Sequence, residues 1–246
     1  MPADYRHKLF ASYSSTHIDH LDRDEESKRQ WFLDYAEKNY LPLIRHLDRS
    51  TGEVLEIACN RGYLLSALSR LGFQQLNGVD LSPDDLALAG KQVPNANLTR
   101  ADVFEFLDGT PDCFDVIVLK ALLEHVPKSD VLTLLEKIHR SLRPNGVVII
   151  DVPNMDWLMA AHERYMDFTH EVGFTRQSLS QLMRNVFSDV TVRPGIPPVE
   201  PGVKKRIISW LRPCVVACGK IFLSVVGEGA SDVWWHCRAI IGTGRK

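Results

Sequence analysis

The segment Glu56-Ile-Ala-Cys-Asn-Arg-Gly62 joins a short apolar run to a helical pattern. A loop in this position presents backbone N–H groups to a ligand when its residues tolerate a positive φ angle. Gly62 tolerates it directly, and Asn60 adopts it more readily than most residues. The loop holds one glycine, so the G-x-G-x-x-G fingerprint of a dinucleotide site is absent. The loop therefore favours a small ligand other than NAD or FAD.

Two aspartates follow at the ends of the next two predicted strands. Asp80 comes 24 residues after Glu56, where an acidic side chain can accept hydrogen bonds from both hydroxyls of a ribose. Asp102 follows the third strand, where a carboxylate can accept from an adenine amino group beside an apolar side chain. Each could instead be a carboxylate that caps a helix. Their order and spacing after the loop favour a nucleoside-binding site.

Apolar runs alternate with helical patterns between residues 53 and 151. The predicted strands cover 53–58, 76–80, 96–101, 114–119 and 146–151, and the predicted helices cover 62–71, 83–91 and 129–142. This alternation predicts right-handed crossovers and a mostly parallel sheet covered on both faces. Ligands of such sheets bind at the carboxyl ends of the strands, so Gly62, Asp80 and Asp102 should meet at one edge.

The composition is that of an ordinary folded, globular protein. The chain has 246 residues, of which 45% are hydrophobic and 24% are charged, and its net charge of −2 argues against nucleic-acid binding. Five scattered cysteines do not form a disulfide framework, and no second Cys/His pair accompanies Cys214 and Cys218, so no metal is expected. The beginning MPADYRHKLF lacks the apolar core of a signal peptide. We therefore expect a reduced, cytoplasmic protein.

Residues 1–48 are predicted to form a helical cap on the remaining domain, residues 49–246. Apolar residues occur at helical spacing from Glu25 to Leu47, with a break near Pro42. Tyr13 and His17 would fold over the site as part of a lid; ordinary helix packing is the alternative.

Five motifs occur in order over residues 50–155: VLEIACNRGYLLSAL, LNGVDLSPDDLALA, TRADVFEFL, FDVIVLKALLEHVP and SLRPNGVVIIDVPN. They resemble the successive motifs of class I S-adenosylmethionine-dependent methyltransferases. The flanking segments FASYSSTHIDHL and RYMDFTHEVGFTRQSL resemble, over shorter stretches, methyltransferases associated with bacterial polysaccharide and glycolipid biosynthesis. The resemblance implies S-adenosylmethionine as the cofactor.

The resemblance implies an α/β fold, with a Rossmann-like, seven-stranded, mostly parallel sheet, helices on both faces and an antiparallel last strand. Residues 189–193 would form the sixth strand and residues 233–241 the seventh. Ala58 and Asn60 stand where the family usually has glycine, which either weakens cofactor affinity or only reshapes the loop. The implied cofactor-binding residues are Glu56, Ala58, Asn60, Gly62, Asp80, Leu81, Asp102, Val103 and Lys120.

Methyl transfer to a hydroxyl requires that the oxygen lose its proton, and histidine is the usual general base. Titratable groups are dense in residues 154–175, which are predicted to form a substrate-binding insertion. Within it, His170 is the predicted base, oriented by Asp167 or Glu171; a structural histidine is the alternative. His125 ranks second because it lies beyond the fourth strand, near the donor methyl, although the family often has a Glu-His pair there that packs a loop.

Residues 203–228 are apolar with interspersed Lys and Arg, and Pro213 is predicted to begin a second helix. Arg212 and Lys220 interrupt a membrane span, which needs about 20 mostly uncharged residues. One interpretation is an interfacial membrane helix over residues 203–226, suited to a lipid-linked acceptor. The preferred one is a helical pair packed on the sheet or at a homodimer interface.

We therefore predict a methyltransferase that acts on a sugar hydroxyl of a surface polysaccharide or glycolipid precursor, in the cytoplasm or at the inner face of the membrane. A small-molecule or quinone-type methyltransferase is one alternative, because it would share all features before residue 155. A non-catalytic scaffold protein is another, because it would exploit the altered loop. No nucleic-acid partner is expected.

Overall fold

The computed structural model describes Leu9 and residues 24–198, 202–227 and 233–246. Tyr13 and His17, predicted to belong to a lid, lie outside the described residues.

One seven-stranded sheet organises the chain, with the order β3-β2-β1-β4-β5-β7-β6. β7 pairs antiparallel with both β5 and β6, and the other pairings are parallel, which confirms the predicted sheet and its antiparallel last strand. The strands are β1 Glu53–Ile57, β2 Gln75–Asp80, β3 Asn97–Arg100, β4 Phe114–Lys120, β5 Leu142–Pro153, β6 Ser188–Pro194 and β7 Ala239–Arg245. The prediction for the seventh strand was wrong in its bounds, because the observed strand begins at Ala239.

Helices connect the strands and cover both faces of the sheet. α3 begins at the predicted residue, Pro83, and Ser82 is its N-cap, whereas the short α4 was not predicted. The helices are α1 Glu25–Asn39, α2 Tyr63–Arg70, α3 Pro83–Gln92, α4 Val103–Asp108, α5 Val131–Ser141, α6 Ala160–Tyr165, α7 Arg176–Met183 and α8 Val203–Val226, and a 3-10 turn covers Leu123–His125.

The central strands are buried on both sides, and their side chains alternate between two apolar clusters. Ile117 and Leu119 of β4 point into the cluster formed with α5 and α7. Val116 and Val118 point into the cluster formed with α1 and α2. The same alternation directs Lys120, at the end of β4, toward α1.

α1 ends at Asn39, in agreement with the predicted break near Pro42, but the chain does not resume a helix from there to Leu47. Proline disfavours helical geometry in the residue before it and has no N–H to donate. The chain therefore continues in turns, which Tyr40 and Ile44 anchor because both side chains are fully buried.

α8 is one helix of 24 residues with Pro213 inside it, so the prediction that this proline begins a second helix was wrong. Pro213 cannot donate to the carbonyl of Ser209 four residues earlier, and water can satisfy that carbonyl because the helix is exposed. No residue of the stretch Ile207–Val226 is buried, so the expected helical pair packed on the sheet is not observed. α8 contacts the body of the protein near Trp235 and through a hydrogen bond from Arg212 to the His236 carbonyl.

The topology brings α8 to the same edge of the sheet as the candidate site. β6 ends at this edge, where the parallel strands β1, β2, β4 and β5 also end. β7 begins there because it runs antiparallel. The connection between β6 and β7, which contains α8, therefore starts and finishes beside the carboxyl ends of the strands.

Candidate functional site

The loop after β1 has a glycine-like backbone although only one of its residues is glycine. Ala58, Asn60 and Gly62 all have positive φ angles, of 56°, 47° and 76°. Hydrogen bonds from Cys59 N to the Val79 carbonyl and from Gly62 N to the Cys59 carbonyl hold this geometry. Left-handed geometry costs a non-glycine residue about 1–2 kcal/mol. Ala58 and Asn60 thus carry local strain, but they do not abolish the compact loop turn.

Gly62 is required for a second reason, because α3 approaches it closely. A Cβ atom at position 62 would lie 2.9 Å from the Ala89 Cβ and 3.1 Å from the Ala89 Cα. The glycine therefore permits both the turn and the contact between the loop and α3.

We expect Gly62→Ala to destabilise the fold by about 2–4 kcal/mol, through left-handed strain and overpacking against Ala89. Gly72→Ala is the matched control, because Gly72 also has a positive φ, of 97°, but its added Cβ would lie 3.5 Å from the nearest atom. Urea unfolding should show the control about 1–3 kcal/mol more stable than Gly62→Ala. Equal losses would show that contact with Ala89 is unimportant.

Asp80 joins the loop after β1 to the beginning of α3. Its Oδ2 accepts from Asn60 N at 2.8 Å, and its Oδ1 accepts from Ser82 N at 2.9 Å. Burial raises the pKa of the Asp80 carboxyl, while these two N–H donors oppose the shift. An ionised carboxylate offers about four acceptor positions, so about two remain for ligand hydroxyls. Leu81, beside it, is 58% exposed and offers an apolar surface for a flat ring.

Asp102 is the N-cap of α4, where its Oδ1 accepts from Phe104 N at 2.8 Å. The capping alternative raised from the sequence is therefore observed at this position. Val103 follows it, half-buried, one strand away from Leu81. The two apolar residues flank the space above the ends of β2 and β3, where the sequence predicted an adenine.

Glu56 lies at the end of β1, buried on the side of the sheet that α1 and α2 cover. Its Oε2 has no hydrogen-bond partner among the described residues, and burial raises the pKa of the carboxyl well above its usual value. An unpaired buried carboxylate is costly, so a cationic ligand group beside it would be stabilising. The ammonium of an amino-acid moiety has the required charge and donors.

Lys120 belongs to a buried network that sequence reasoning missed. Its Nζ lies 3.4 Å from the Asp151 Oδ2, and that oxygen also accepts from Tyr35 Oη at 2.8 Å and from Tyr40 Oη at 2.5 Å. Burial raises the pKa values of both tyrosines. The network joins α1 to the ends of β4 and β5, and it places the Lys120 ammonium over the ring of Tyr35.

The predicted catalytic histidines come together although they are 45 positions apart. The rings of His125 and His170 have centroids 4.8 Å apart, and Glu124 lies beside them. Burial raises the pKa of Glu124 to about 8 and lowers the pKa of His170. Glu124, whose Oε2 has no hydrogen-bond partner in the described ranges, was not predicted as a site residue. Its adjacency to His125 was the only available sequence signal.

Backbone and hydroxyl groups fix the orientation of both rings. His170 Nδ1 donates to the Glu163 carbonyl at 3.0 Å, so a carbonyl orients the predicted base. His125 Nδ1 lies 2.8 Å from Thr169 Oγ1, which donates in turn to Asp167 Oδ1. Asp167 is thus connected to His125 through Thr169.

The insertion that carries His170 is fastened to the sheet. The Glu124 carbonyl accepts from the backbone N–H groups of Glu171 and Val172. Glu163 forms a two-pronged ion pair with Arg238, with N–O distances of 2.9 and 3.0 Å. Such bidentate pairs hold geometry well. His170 is therefore placed by a constrained segment.

These features fit S-adenosylmethionine part by part. Asp80 has acceptor capacity for the ribose diol, and Leu81 with Val103 flanks the place for an adenine. Glu56 has an unpaired buried oxygen for an ammonium group. The single-glycine loop is acceptable because this cofactor has no pyrophosphate.

Comparisons with known proteins identify the family of the chain. The family model of a methyltransferase domain matches residues 15–186. The ubiquinone biosynthesis O-methyltransferase of Bradyrhizobium diazoefficiens is 34% identical over 107 residues, which cover 42% of this chain and 41% of that protein. The carboxy-S-adenosyl-L-methionine synthase of Chromohalobacter salexigens is 32% identical over 155 residues, which cover 56% of this chain and 54% of that protein. The matches thus span about half the length of these relatives.

A solved S-adenosylmethionine-dependent methyltransferase from Archaeoglobus fulgidus has the same fold. It superposes with a TM-score of 0.65 at 18% identity and covers 99% of this chain and 100% of its own. Because the family model covers more than half of the sequence, the chain belongs to the class I S-adenosylmethionine-dependent methyltransferases.

Proposed function

We propose that the protein methylates an aromatic hydroxyl of a lipid-like, quinone-type acceptor, which was the alternative to a sugar acceptor in the sequence analysis. The observation that best supports an O-methyltransferase activity is the contact between the rings of His125 and His170, at the edge of the sheet where Asp80 would hold the cofactor. The named relative in ubiquinone biosynthesis supports the class of acceptor.

His170 has the features of a general base for this reaction. S-adenosylmethionine supplies an electrophilic methyl group on its sulfonium. Because Nδ1 of His170 donates to a carbonyl, Nε2 carries the lone pair of the neutral ring and can take the proton of an acceptor hydroxyl. The fastened insertion holds the ring beside His125.

The sugar hydroxyl predicted from the flanking segments has less support. Neither relative described above is named for sugar or polysaccharide chemistry. An aromatic hydroxyl also suits a partly apolar edge better than a fully hydroxylated ring does.

We also propose that α8 lies on an anionic membrane surface, from which such an acceptor would be drawn. Residues 203–226 contain five Lys and Arg residues and no Asp or Glu. Trp210 is 78% exposed and Phe222 is 63% exposed, so large apolar groups face outward. Apolar residues with interspersed basic ones favour insertion at an anionic lipid interface. The stretch Ile207–Val226 also has the length and composition of a membrane-crossing helix.

A cavity separates α8 from the edge of the sheet and could receive an apolar tail. Its volume is about 520 Å³, and apolar atoms form most of its lining. It lies between Ile208 of α8 and Ile196, just beyond the end of β6. The cavity therefore lies between the exposed helix and the end of β6, and none of the predicted site residues lines it.

Acceptor screening tests the proposed reaction. Methyl transfer from S-adenosylmethionine should occur to a prenylated catechol and not to free or lipid-linked sugars. We expect His170→Ala to lower kcat by about 100-fold or more, as for loss of a general base. His162→Ala, at an exposed position of α6, is the matched control and should keep full turnover. Preference for a sugar, or an unimpaired His170→Ala, would contradict the proposal.

Vesicle sedimentation tests the membrane proposal separately. The protein should bind vesicles that contain phosphatidylglycerol, less strongly at high salt, and Trp210→Glu should lose most of this binding. Leu158→Glu is the control, because Leu158 is 75% exposed but lies outside α8. Absence of binding together with a dimer whose interface contains α8 would instead support the homodimer that the sequence left open.

A further inference from the structure

We propose that Glu124, His125 and His170 form a binding site for a divalent transition-metal ion. The sequence alone gave no such expectation, because the three residues come from two separate segments. The existence of the site does not depend on the acceptor, but its role in catalysis rests on the proposed function.

The three side chains converge tightly enough to share one ion. One ligand atom from each residue lies within 4.8 Å of the corresponding atoms of the other two. Zn²⁺ binds imidazole nitrogen at about 2.0–2.1 Å and carboxylate oxygen at about 2.0–2.2 Å, so modest side-chain rotation would complete the coordination. Glu124 and His125 are buried, and His170 is partly buried, which excludes most competing water.

The orientation of both rings is the one that metal-binding histidines adopt. Such histidines usually donate their second ring N–H to a carbonyl, a carboxylate or another fixed acceptor. His170 Nδ1 donates to the Glu163 carbonyl. Thr169 Oγ1 donates to Asp167, so it accepts from His125 Nδ1 at 2.8 Å. Both rings therefore direct coordination to Nε2.

The buried carboxyl of Glu124 supports a cation site independently of the geometry of the two histidines. Its side chain is buried, and within the part of the chain that the structure describes its Oε2 has no hydrogen-bond partner. A buried carboxylate oxygen without a partner is costly unless a cation or donor completes its surroundings. Asp151 and Glu163 add negative charge near Glu124, whereas Lys120 adds positive charge. Asp151 is already paired with Lys120 and Glu163 with Arg238, so a bound divalent cation would serve Glu124, whose Oε2 has no hydrogen-bond partner among the residues that the structure describes.

The ligand types select the class of metal. Two imidazoles favour zinc and its transition-metal neighbours, whereas magnesium and calcium prefer oxygen ligands. Three protein ligands with one position left open are typical of catalytic zinc sites. Under the proposed function, this open position would receive the acceptor hydroxyl. Because His170 Nε2 would then be a ligand, it would not act as the general base. Coordination would weaken the O–H bond of the acceptor, and the proton would pass to bulk water; the general-base role of His170 would apply only to the metal-free site.

Metal titration of the full chain after chelator treatment tests the proposal. Zn²⁺ should bind with one tight site per chain by calorimetry, and Co²⁺ should bind with a visible ligand-field spectrum. Glu124→Gln, His125→Ala and His170→Ala should each weaken Zn²⁺ affinity at least about 10-fold. His162→Ala should not change it. Circular dichroism would establish that each variant is folded.

Cys214 and Cys218 provide the decisive control, because both are exposed and one helical turn apart on α8. Tight binding that survives all three ligand substitutions and disappears in Cys214→Ser/Cys218→Ser would overturn the proposal, as would the absence of tight binding. Metal binding without transfer to any acceptor would instead refute the proposed function and leave the metal site intact. Transfer by metal-free protein at an unchanged rate would refute the catalytic role of the ion.

Discussion

Replacing Asp80 by alanine should weaken the binding of S-adenosylhomocysteine by about 100-fold, which corresponds to about 2.7 kcal/mol. The variant loses the acceptors of the ribose diol, and hydrogen bonds to a charged group contribute about 1.5–3 kcal/mol each. The substitution also removes the acceptor for the backbone N–H groups of Asn60 and Ser82. Their hydrogen bonds to Asp80 hold the loop after β1 and the start of α3. Isothermal titration calorimetry with the purified protein measures the change.

Asp84→Ala is the matched control, because Asp84 is an exposed carboxylate in the first turn of α3. It should bind the nucleoside like wild type. Asp102→Ala should give a smaller loss than Asp80→Ala, about 10-fold, because its carboxylate is already used to cap α4. If Asp80→Ala bound S-adenosylhomocysteine with wild-type affinity, Asp80 would not belong to the cofactor site.

The affinity for S-adenosylhomocysteine should fall as the pH is lowered, beginning above the range in which an ordinary aspartate titrates. Burial raises the pKa of Asp80, and the nearby Asp85 acts in the same direction. Protonation removes acceptor positions, so the carboxylate form binds more tightly and the loss appears on the acid side. Calorimetry from about pH 7.5 to about pH 4.5 should show it, because unperturbed aspartates titrate near 3.9. Asp80→Asn should bind weakly and should lose the part of this pH dependence that Asp80 causes, while the part from Glu56, whose pKa burial also raises, remains.

Replacing Asp151 by alanine should destabilise the fold by about 3–5 kcal/mol, as expected when one member of a buried charged network is removed. Two buried tyrosine hydroxyls lose their acceptor, and Lys120 loses its counter-ion. Because the network joins α1 to the sheet, its loss should lower the unfolding free energy of the whole domain and not of α1 alone. Thermal unfolding should show a decrease in Tm of about 10 °C for a domain of this size.

Tyr40→Phe is the control for this second variant. It removes one hydroxyl and keeps the packed ring, so the expected loss is about 1–2 kcal/mol. An Asp151→Ala protein as stable as Tyr40→Phe would show that the carboxylate does not hold α1 on the sheet.

The alternation of apolar strands and amphipathic helices predicted most of the fold because it depends on residues that are close together in the sequence. Ser82 and Pro83 are residue types that indicate the start of a helix, here α3, and Gly62 indicates the turn after β1. Predictions failed where long-range packing decides the outcome. α8 remains one helix through Pro213 because exposure makes the missing hydrogen bond tolerable, and β7 begins where it pairs with β5.

The cofactor side of the site was more predictable than the acceptor side. Glu56, Asp80 and Asp102 follow strands in a fixed order, so spacing alone brings them to one edge. The Asp151 network and the contact between His125 and His170 join residues far apart in the sequence, and no local pattern encodes such pairs. Strand alternation nevertheless indicates that Lys120 and Asp151 share a face, a signal that could have been used.

Crystals grown with S-adenosylhomocysteine test the central claim most directly. The nucleoside should lie against the loop of residues 58–62, with both ribose hydroxyls about 2.5–3.0 Å from the Asp80 carboxylate. A nucleoside bound elsewhere, or one whose ribose makes no contact with Asp80, would contradict the account.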